Sequence, residues 1–117
     1  MFNQLNSLKQ LYLSGNKFTA RQTAQLMAVL NSNKKLRNSL KWLSFMSNNF
    51  DDAATIEFAK FVAGSSSIET IMGAPSEYRF VLKQSMGRYF LEVARGCDNQ
   101  VIANINTTKT KLPKIYD

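Results

Sequence analysis

Two segments of the chain repeat one pattern of apolar and polar positions at a spacing of 32 residues. The first begins at Leu8 and reads LKQLYLSGNKF, and the second begins at Leu40 and reads LKWLSFMSNNF. A third copy begins at Ile68 as IETIMG and breaks off at Gly73, where another large apolar residue is expected. Such recurrence indicates stacked copies of one structural unit. The recurring positions, which we predict to be structural, are Leu8, Leu11, Leu13, Asn16, Phe18, Leu40, Leu43, Phe45, Asn48 and Phe50.

Each unit combines a short strand with a helix. In the first motif, Leu11 and Leu13 lie two positions apart, so both side chains point to the same side of a strand. The segments 19–31 and 51–63 place apolar residues at helical spacing, which predicts one helix with an apolar face in each unit.

The pattern LxxLxLxxN, repeated with an intervening helix, resembles the ribonuclease-inhibitor type of leucine-rich repeat over residues 8 to about 73. The resemblance implies an α/β solenoid, in which short parallel strands alternate with helices. It also implies that Asn16 and Asn48 belong to a ladder of asparagines between successive repeats. Two full repeats are fewer than the roughly three that such a stack needs, so we expect the chain to be a fragment or a subunit of a larger assembly.

The repeat is gone after Pro75, and two interpretations compete there. Three alternating runs predict a small β-meander, which is slightly favoured, whereas Ser76 as a helix N-cap and Gly87 as a terminator predict a helical cap. Either would cover the end of the stack with Phe80 and Phe90. The three alternating runs are 78–82, 89–93 and 101–105.

The last residues, NTTKTKLPKIYD, are polar and basic, which indicates a flexible tail or a strip that docks on another surface. The expected organisation is therefore leucine-rich repeats (two full, one partial) in 1–73, a C-terminal capping segment in 74–105 and a basic tail in 106–117.

Alternation along the strands also predicts a binding surface. If Leu11 and Leu43 face inward, their neighbours lie on the concave side of the solenoid, with exposed aromatic and methionine side chains beside lysines. That composition is typical of protein-recognition surfaces. A frame shifted by one residue would exchange the two faces. The predicted partner-binding residues are Gln10, Tyr12, Ser14, Lys17, Lys41, Trp42, Ser44, Met46, Thr70 and Met72.

The net charge of +7 is unevenly distributed. Residues 1–50 contain no acid and carry +7, residues 51–77 carry −4, and residues 78–117 carry +4. An anionic partner such as nucleic acid, a membrane surface or an acidic protein would therefore be attracted to the chain, and we expect the basic residues Lys34, Lys35 and Arg37 to lie in a loop.

Candidate catalytic chemistry is scarce. The chain has no histidine, so Cys97, its only cysteine, has no such base to activate it. The sequence contains neither GxxxxGK[ST] nor GxGxxG. Asp51 and Asp52 stand at a predicted helix start, where acids act more often as caps than as metal ligands, and Gly64 stands where we expect a left-handed helix end. We therefore expect a non-enzymatic protein without catalytic residues, metal or cofactor.

Three functions remain open from the sequence. The first is a protein-interaction scaffold, the second a basic subunit associated with nucleic acid or ribonucleoprotein, and the third a regulator of GTPases, which some proteins with this repeat type are. The single cysteine fits a reducing compartment, and we find no signal peptide or membrane span in the sequence. A cytoplasmic or nuclear location is expected.

Overall fold

Short parallel strands alternate with helices in the first part of the chain, and an antiparallel sheet follows them. The computed structural model describes residues 8–13, 17–45, 49–75, 77–96 and 100–116. The helices are α1 (Ala20–Ser32), α2 (Lys34–Arg37) and α3 (Asp52–Gly64). The strands are β1 (Gln10–Tyr12), β2 (Trp42–Ser44), β3 (Thr70–Met72), β4 (Tyr78–Ser85), β5 (Arg88–Arg95), β6 (Gln100–Thr107) and β7 (Lys114–Tyr116). The predicted mixed α/β class is confirmed.

The parallel sheet has the strand order β1-β2-β3-β7. Leu11 pairs in register with Leu43, and Leu43 with Ile71, so positions that recur in the sequence stand side by side. The prediction that the first two motifs lie on adjacent parallel strands is confirmed. The C-terminal part of the chain supplies the fourth strand, in which Ile115 stands beside Ile71.

The core lies between the parallel sheet and the two long helices. Leu43 and Ile71 are completely buried, as are Met27 of α1 and Phe58 and Val62 of α3. The helical spacing of these apolar residues in the sequence is what turns one side of each helix towards the sheet.

Local capping explains where the long helices begin. Thr19 Oγ1 accepts the Gln22 backbone N–H while Gln22 Oε1 accepts the Thr19 N–H, which forms a capping box before α1. Asp51 Oδ1 accepts the Ala54 N–H at 2.8 Å, so Asp51 is the predicted N-cap of α3.

Two local predictions are wrong. Gly64 is the last helical residue of α3 and is not left-handed, because Ser65 ends the helix in an extended conformation with φ −77°. The segment 34–37, expected to be a basic loop, forms the short helix α2, because Asn33 Oδ1 accepts the Leu36 N–H and caps it.

The third unit changes direction at Gly73. This residue has φ +82°, a left-handed conformation that glycine adopts without steric cost, and the chain leaves the sheet there. No helix follows in the described residues; the antiparallel sheet packs against α3 instead. The Phe58 and Phe80 rings lie 5.2 Å apart, and Thr107 Oγ1 donates to the Ala63 carbonyl at 2.9 Å.

The antiparallel sheet is the predicted meander, in the order β4-β5-β6, and the helical alternative is wrong. Met86 and Gly87 form its first turn with φ values of +54° and +76°. Phe80 packs against the core as predicted, whereas Phe90 lies on the other face of the sheet because it alternates with the buried Leu91. A bulge opposite Val93 and Ala94 breaks the expected alternation of β6, so Val101 is exposed.

Both ends of segment 106–117, which is predicted to be a tail, contribute residues to strands. Residues 106 and 107 complete β6, and residues 114–116 form β7 beside β3. The Ala74 N–H donates to the Tyr116 carbonyl at 2.9 Å. Of the two interpretations of this segment, a docked strip describes it better than a flexible tail.

Candidate partner-binding face

The outer face of the parallel sheet consists of the side chains that alternate with the core-facing residues of its four strands. Two rows run across it, because the strands pair in register. The first row is Gln10, Trp42, Thr70 and Lys114, and the second is Tyr12, Ser44, Met72 and Tyr116. The structure thus places these eight side chains, from the three motifs and from the C-terminal strand, on one side of the sheet.

Aromatic side chains dominate the accessible part of the outer face. Tyr12 is 62% exposed and Tyr116 48% exposed, on the two edge strands. The Tyr12 and Trp42 rings lie 6.4 Å apart, and the Tyr12 hydroxyl donates to Gln10 Oε1 at 3.3 Å. The Trp42 indole N–H is buried and has no acceptor among the described residues.

The centre of the outer face is less accessible than its edges. Thr70 and Met72 are half-buried. Ser44 is only 4% exposed, because it is a small residue in register between Tyr12 and Met72. The structure therefore removes Ser44 from the predicted set of directly accessible residues.

Lysines lie at one end of the parallel sheet, where its strands begin. Lys9, Lys41 and Lys114 are exposed, and Glu69 is the acid at the same end of the strands. Backbone hydrogen bonds place these residues in one line: the Lys41 N–H donates to the Lys9 carbonyl at 2.7 Å, and the Lys114 N–H to the Glu69 carbonyl at 2.9 Å. Among the described residues of this line there are three lysines and one carboxylate, so this end of the sheet attracts anionic groups.

One predicted binding residue does not lie on a strand of the outer face, and others lie outside the described residues. Lys17 is exposed with φ +52° between β1 and α1, and is not on a strand. Outside the described residues lie Ser14, Met46, and the two asparagines of the implied ladder, Asn16 and Asn48.

Sequence reasoning missed Lys114 and Tyr116, which complete the two rows. The signal was present, because Lys-Ile-Tyr at 114–116 has the same outer-inner-outer pattern as Gln-Leu-Tyr at 10–12. A strand of three residues in a polar segment is too short for periodicity alone to identify.

Hydroxyl groups that join successive layers were also missed. Ser39 Oγ donates to the Leu8 carbonyl at 2.9 Å, and Ser67 Oγ donates to the Leu40 carbonyl at 2.6 Å. These serines directly precede the second and third motifs, at equivalent positions. Each bond therefore connects one repeat to the one before it.

A second polar cluster joins α3 to the antiparallel sheet. Asp52 accepts the Tyr78 hydroxyl at 2.5 Å and the Arg95 guanidinium at 2.6 Å, and Arg95 also donates to Gln100 Oε1 at 2.8 Å. Burial, and then the hydrogen bond to Asp52, raise the pKa of Tyr78 to about 12. Asp52 therefore does more than favour the helix start; its carboxylate is shared by two side chains from another sheet.

The described residues contain no group of three or more histidine, cysteine, aspartate or glutamate side chains that could hold a metal ion. None of the helices in the described segments is long and apolar enough to cross a membrane. No protein family, curated protein or solved structure matches this chain.

Proposed function

We propose that this chain is a leucine-rich-repeat-type module that binds another protein through the outer face. The single observation that carries the proposal is the in-register row in which exposed Tyr12 and Tyr116 flank the sheet, with Trp42 packed beside Tyr12. Tyrosine and tryptophan are the side chains most often responsible for binding energy at protein interfaces. A hydrogen-bonded sheet holds them in fixed positions, which lowers the entropy lost on binding.

The chemistry of the partner follows from the aromatic rings of the outer face and from the positive charge at one end of the parallel sheet. Lys9, Lys41 and Lys114 favour a segment that combines carboxylates with aromatic or aliphatic side chains, because the former pair with lysines and the latter cover the rings. The function proposed is non-enzymatic recognition, and it needs no metal or cofactor.

The first layer of the stack supports a larger assembly. Leu8, Leu11 and Leu13 are only half-buried, whereas the equivalent residues of the next layer, Leu40 and Leu43, are completely buried. Another layer stacked on β1 and α1, from a longer chain or from a partner subunit, would bury the first three.

A peptide-display selection on the immobilised protein tests the proposal. We expect the selected peptides to be rich in acidic and aromatic residues, and we expect Tyr12→Ala and Trp42→Ala each to weaken their binding at least about tenfold. Val29→Ala is the matched control, since Val29 is 61% exposed but belongs to α1, on the other side of the sheet. A selection in which no ligand binds the two aromatic variants more weakly than the unchanged protein would contradict the proposal.

Single-stranded nucleic acid is the second candidate, favoured by the same combination of exposed rings and lysines on a sheet. Phosphate contacts make affinity fall steeply with salt. A labelled single-stranded oligonucleotide whose affinity does not fall between about 50 and 200 mM salt would exclude this candidate.

A further inference from the structure

A groove of about 550 Å³ separates β4 from the C-terminal segment that carries β7. Most of the residues that line it are apolar, and none of them belongs to the outer face. Pro75, Phe80, Val81, Leu112, Pro113 and Ile115 contribute to its walls. Residues of β4 and β7 line this groove, and both are edge strands of their sheets.

The free edge of β4 presents unpaired backbone groups to this groove. The Gly96 N–H donates to the Glu77 carbonyl at 2.8 Å, which identifies residues 77 and 96 as a hydrogen-bonded pair of the β4–β5 ladder. Because such pairs alternate along antiparallel strands, the backbone groups of Arg79 and Val81 face β5, whereas those of Phe80 and Leu82 face away from it. Among the described strands, none pairs with that edge.

Charge selects the kind of strand that would fit. Arg79 lines the groove, is exposed and forms no ion pair in the part of the chain that the structure describes. The opposite wall contains Leu112 and Pro113, and the lysines that flank them in the sequence, Lys111 and Lys114, are also exposed. A second copy of β4 paired antiparallel to the first, with Phe80 opposite Leu82, would bring Arg79 and Lys83 of two molecules together, and like-charge repulsion disfavours that register.

We propose that the free edge of β4 accepts an extended peptide as an added strand, with apolar side chains in the groove and carboxylates towards Arg79. Backbone hydrogen bonds to Phe80 and Leu82 would supply affinity, and the groove would select alternate side chains. Its volume lies within the range of about 300–1,000 Å³ that is usual for ligand sites, which suits a short segment. The proposal does not depend on the outer face.

Fluorescence anisotropy with a labelled octapeptide that alternates valine with glutamate tests the proposal. Two further peptides carry N-methyl groups, one on every valine amide and the other on every glutamate amide. We expect the unmodified peptide to bind and one of the two methylated peptides to bind at least about tenfold more weakly, because that one loses the backbone bonds to β4.

Protein variants locate the site. Arg79→Glu should weaken binding about fivefold or more, whereas the matched reversal Arg88→Glu, at the far end of the meander, should not change it. Tyr12→Ala should also leave it unchanged, which separates this site from the outer face. Equal binding of both methylated peptides, equal binding of a peptide that alternates serine with glutamate, or no binding of the unmodified peptide would overturn the proposal. Self-association through β4, seen by sedimentation and strengthened in Arg79→Glu, would overturn it in favour of a second copy of the chain.

Discussion

Replacing Tyr78 by phenylalanine removes one hydroxyl from the junction between α3 and the antiparallel sheet and keeps the ring. That hydroxyl donates to Asp52 at 2.5 Å, and Tyr78 is only 8% exposed. A hydrogen bond to a charged group contributes about 1.5–3 kcal/mol to the free energy of unfolding. The neighbouring Arg95–Asp52 ion pair is about 40% exposed and adds at most about 1 kcal/mol. We therefore expect Tyr78→Phe to lower the free energy of unfolding by about 2 kcal/mol at pH 8.

The same replacement should change how stability depends on pH. Burial and the bond to Asp52 raise the pKa of Tyr78 from 10.0 to about 12, so the folded protein holds this proton more tightly than the unfolded chain. The resulting stabilisation is fully present below pH 10 and is lost as the pH rises from 10 to 12. At about pH 11, midway between the two pKa values, the free energy of unfolding of the unchanged protein has fallen by about 1.4 kcal/mol, half of the effect of a two-unit pKa shift. The variant lacks this hydroxyl and does not undergo that loss.

Urea unfolding of both proteins at pH 8 and pH 11, followed by the fluorescence of the single tryptophan, measures this difference. Other groups titrate in both proteins and cancel in the comparison. Tyr89→Phe is the control at pH 8, because the Tyr89 hydroxyl has no hydrogen bond among the described residues; its stability should change by less than about 0.5 kcal/mol. A gap between the unchanged protein and Tyr78→Phe that does not narrow at pH 11 would refute the reasoning.

Two further predictions concern the repeat stack and the meander. Ser67→Ala should lower the free energy of unfolding in urea by about 1 kcal/mol, because the Leu40 carbonyl loses its 2.6 Å hydrogen bond from the next layer. Ser32→Ala removes an exposed bond within α1 and should cost less than about 0.5 kcal/mol. Equal costs would contradict a role of Ser67 between layers. Met86→Asn should raise the free energy of unfolding by about 0.5–1 kcal/mol, and with it the thermal midpoint, since Met86 is 99% exposed with φ +54° and asparagine before Gly87 suits this turn. A lower midpoint would contradict this prediction.

The parallel strands and the long helices can be predicted from the sequence because their signals are local and periodic. Leu11 and Leu43 recur 32 residues apart, and the structure pairs them on adjacent strands. Thr19 and Asp51 stand at helix starts, where a side-chain oxygen satisfies a free backbone N–H within three residues. Gly64 shows the limit of such signals, because it is itself helical and Ser65, the next residue, ends the helix.

The candidate binding face is predictable only in part. Alternation places Tyr12 and Trp42 on one side of the sheet once Leu11 and Leu43 face inward. It does not show that Ser44 is buried between larger neighbours, nor that Tyr116 joins the same row from a distant part of the chain. Accessibility depends on what surrounds a side chain, and that is a property of the packed protein.

The amino-acid sequence alone determines that this protein repeats a strand-and-helix unit, where its long helices begin, and which side chains of β1 and β2 share a face. The tertiary structure decides that the meander packs on α3, that Asp52 meets Arg95 across 43 positions, and that β7 closes the parallel sheet. The physical reason is range. Periodicity and capping act between residues a few positions apart, whereas these contacts join segments whose proximity depends on how the whole core is filled.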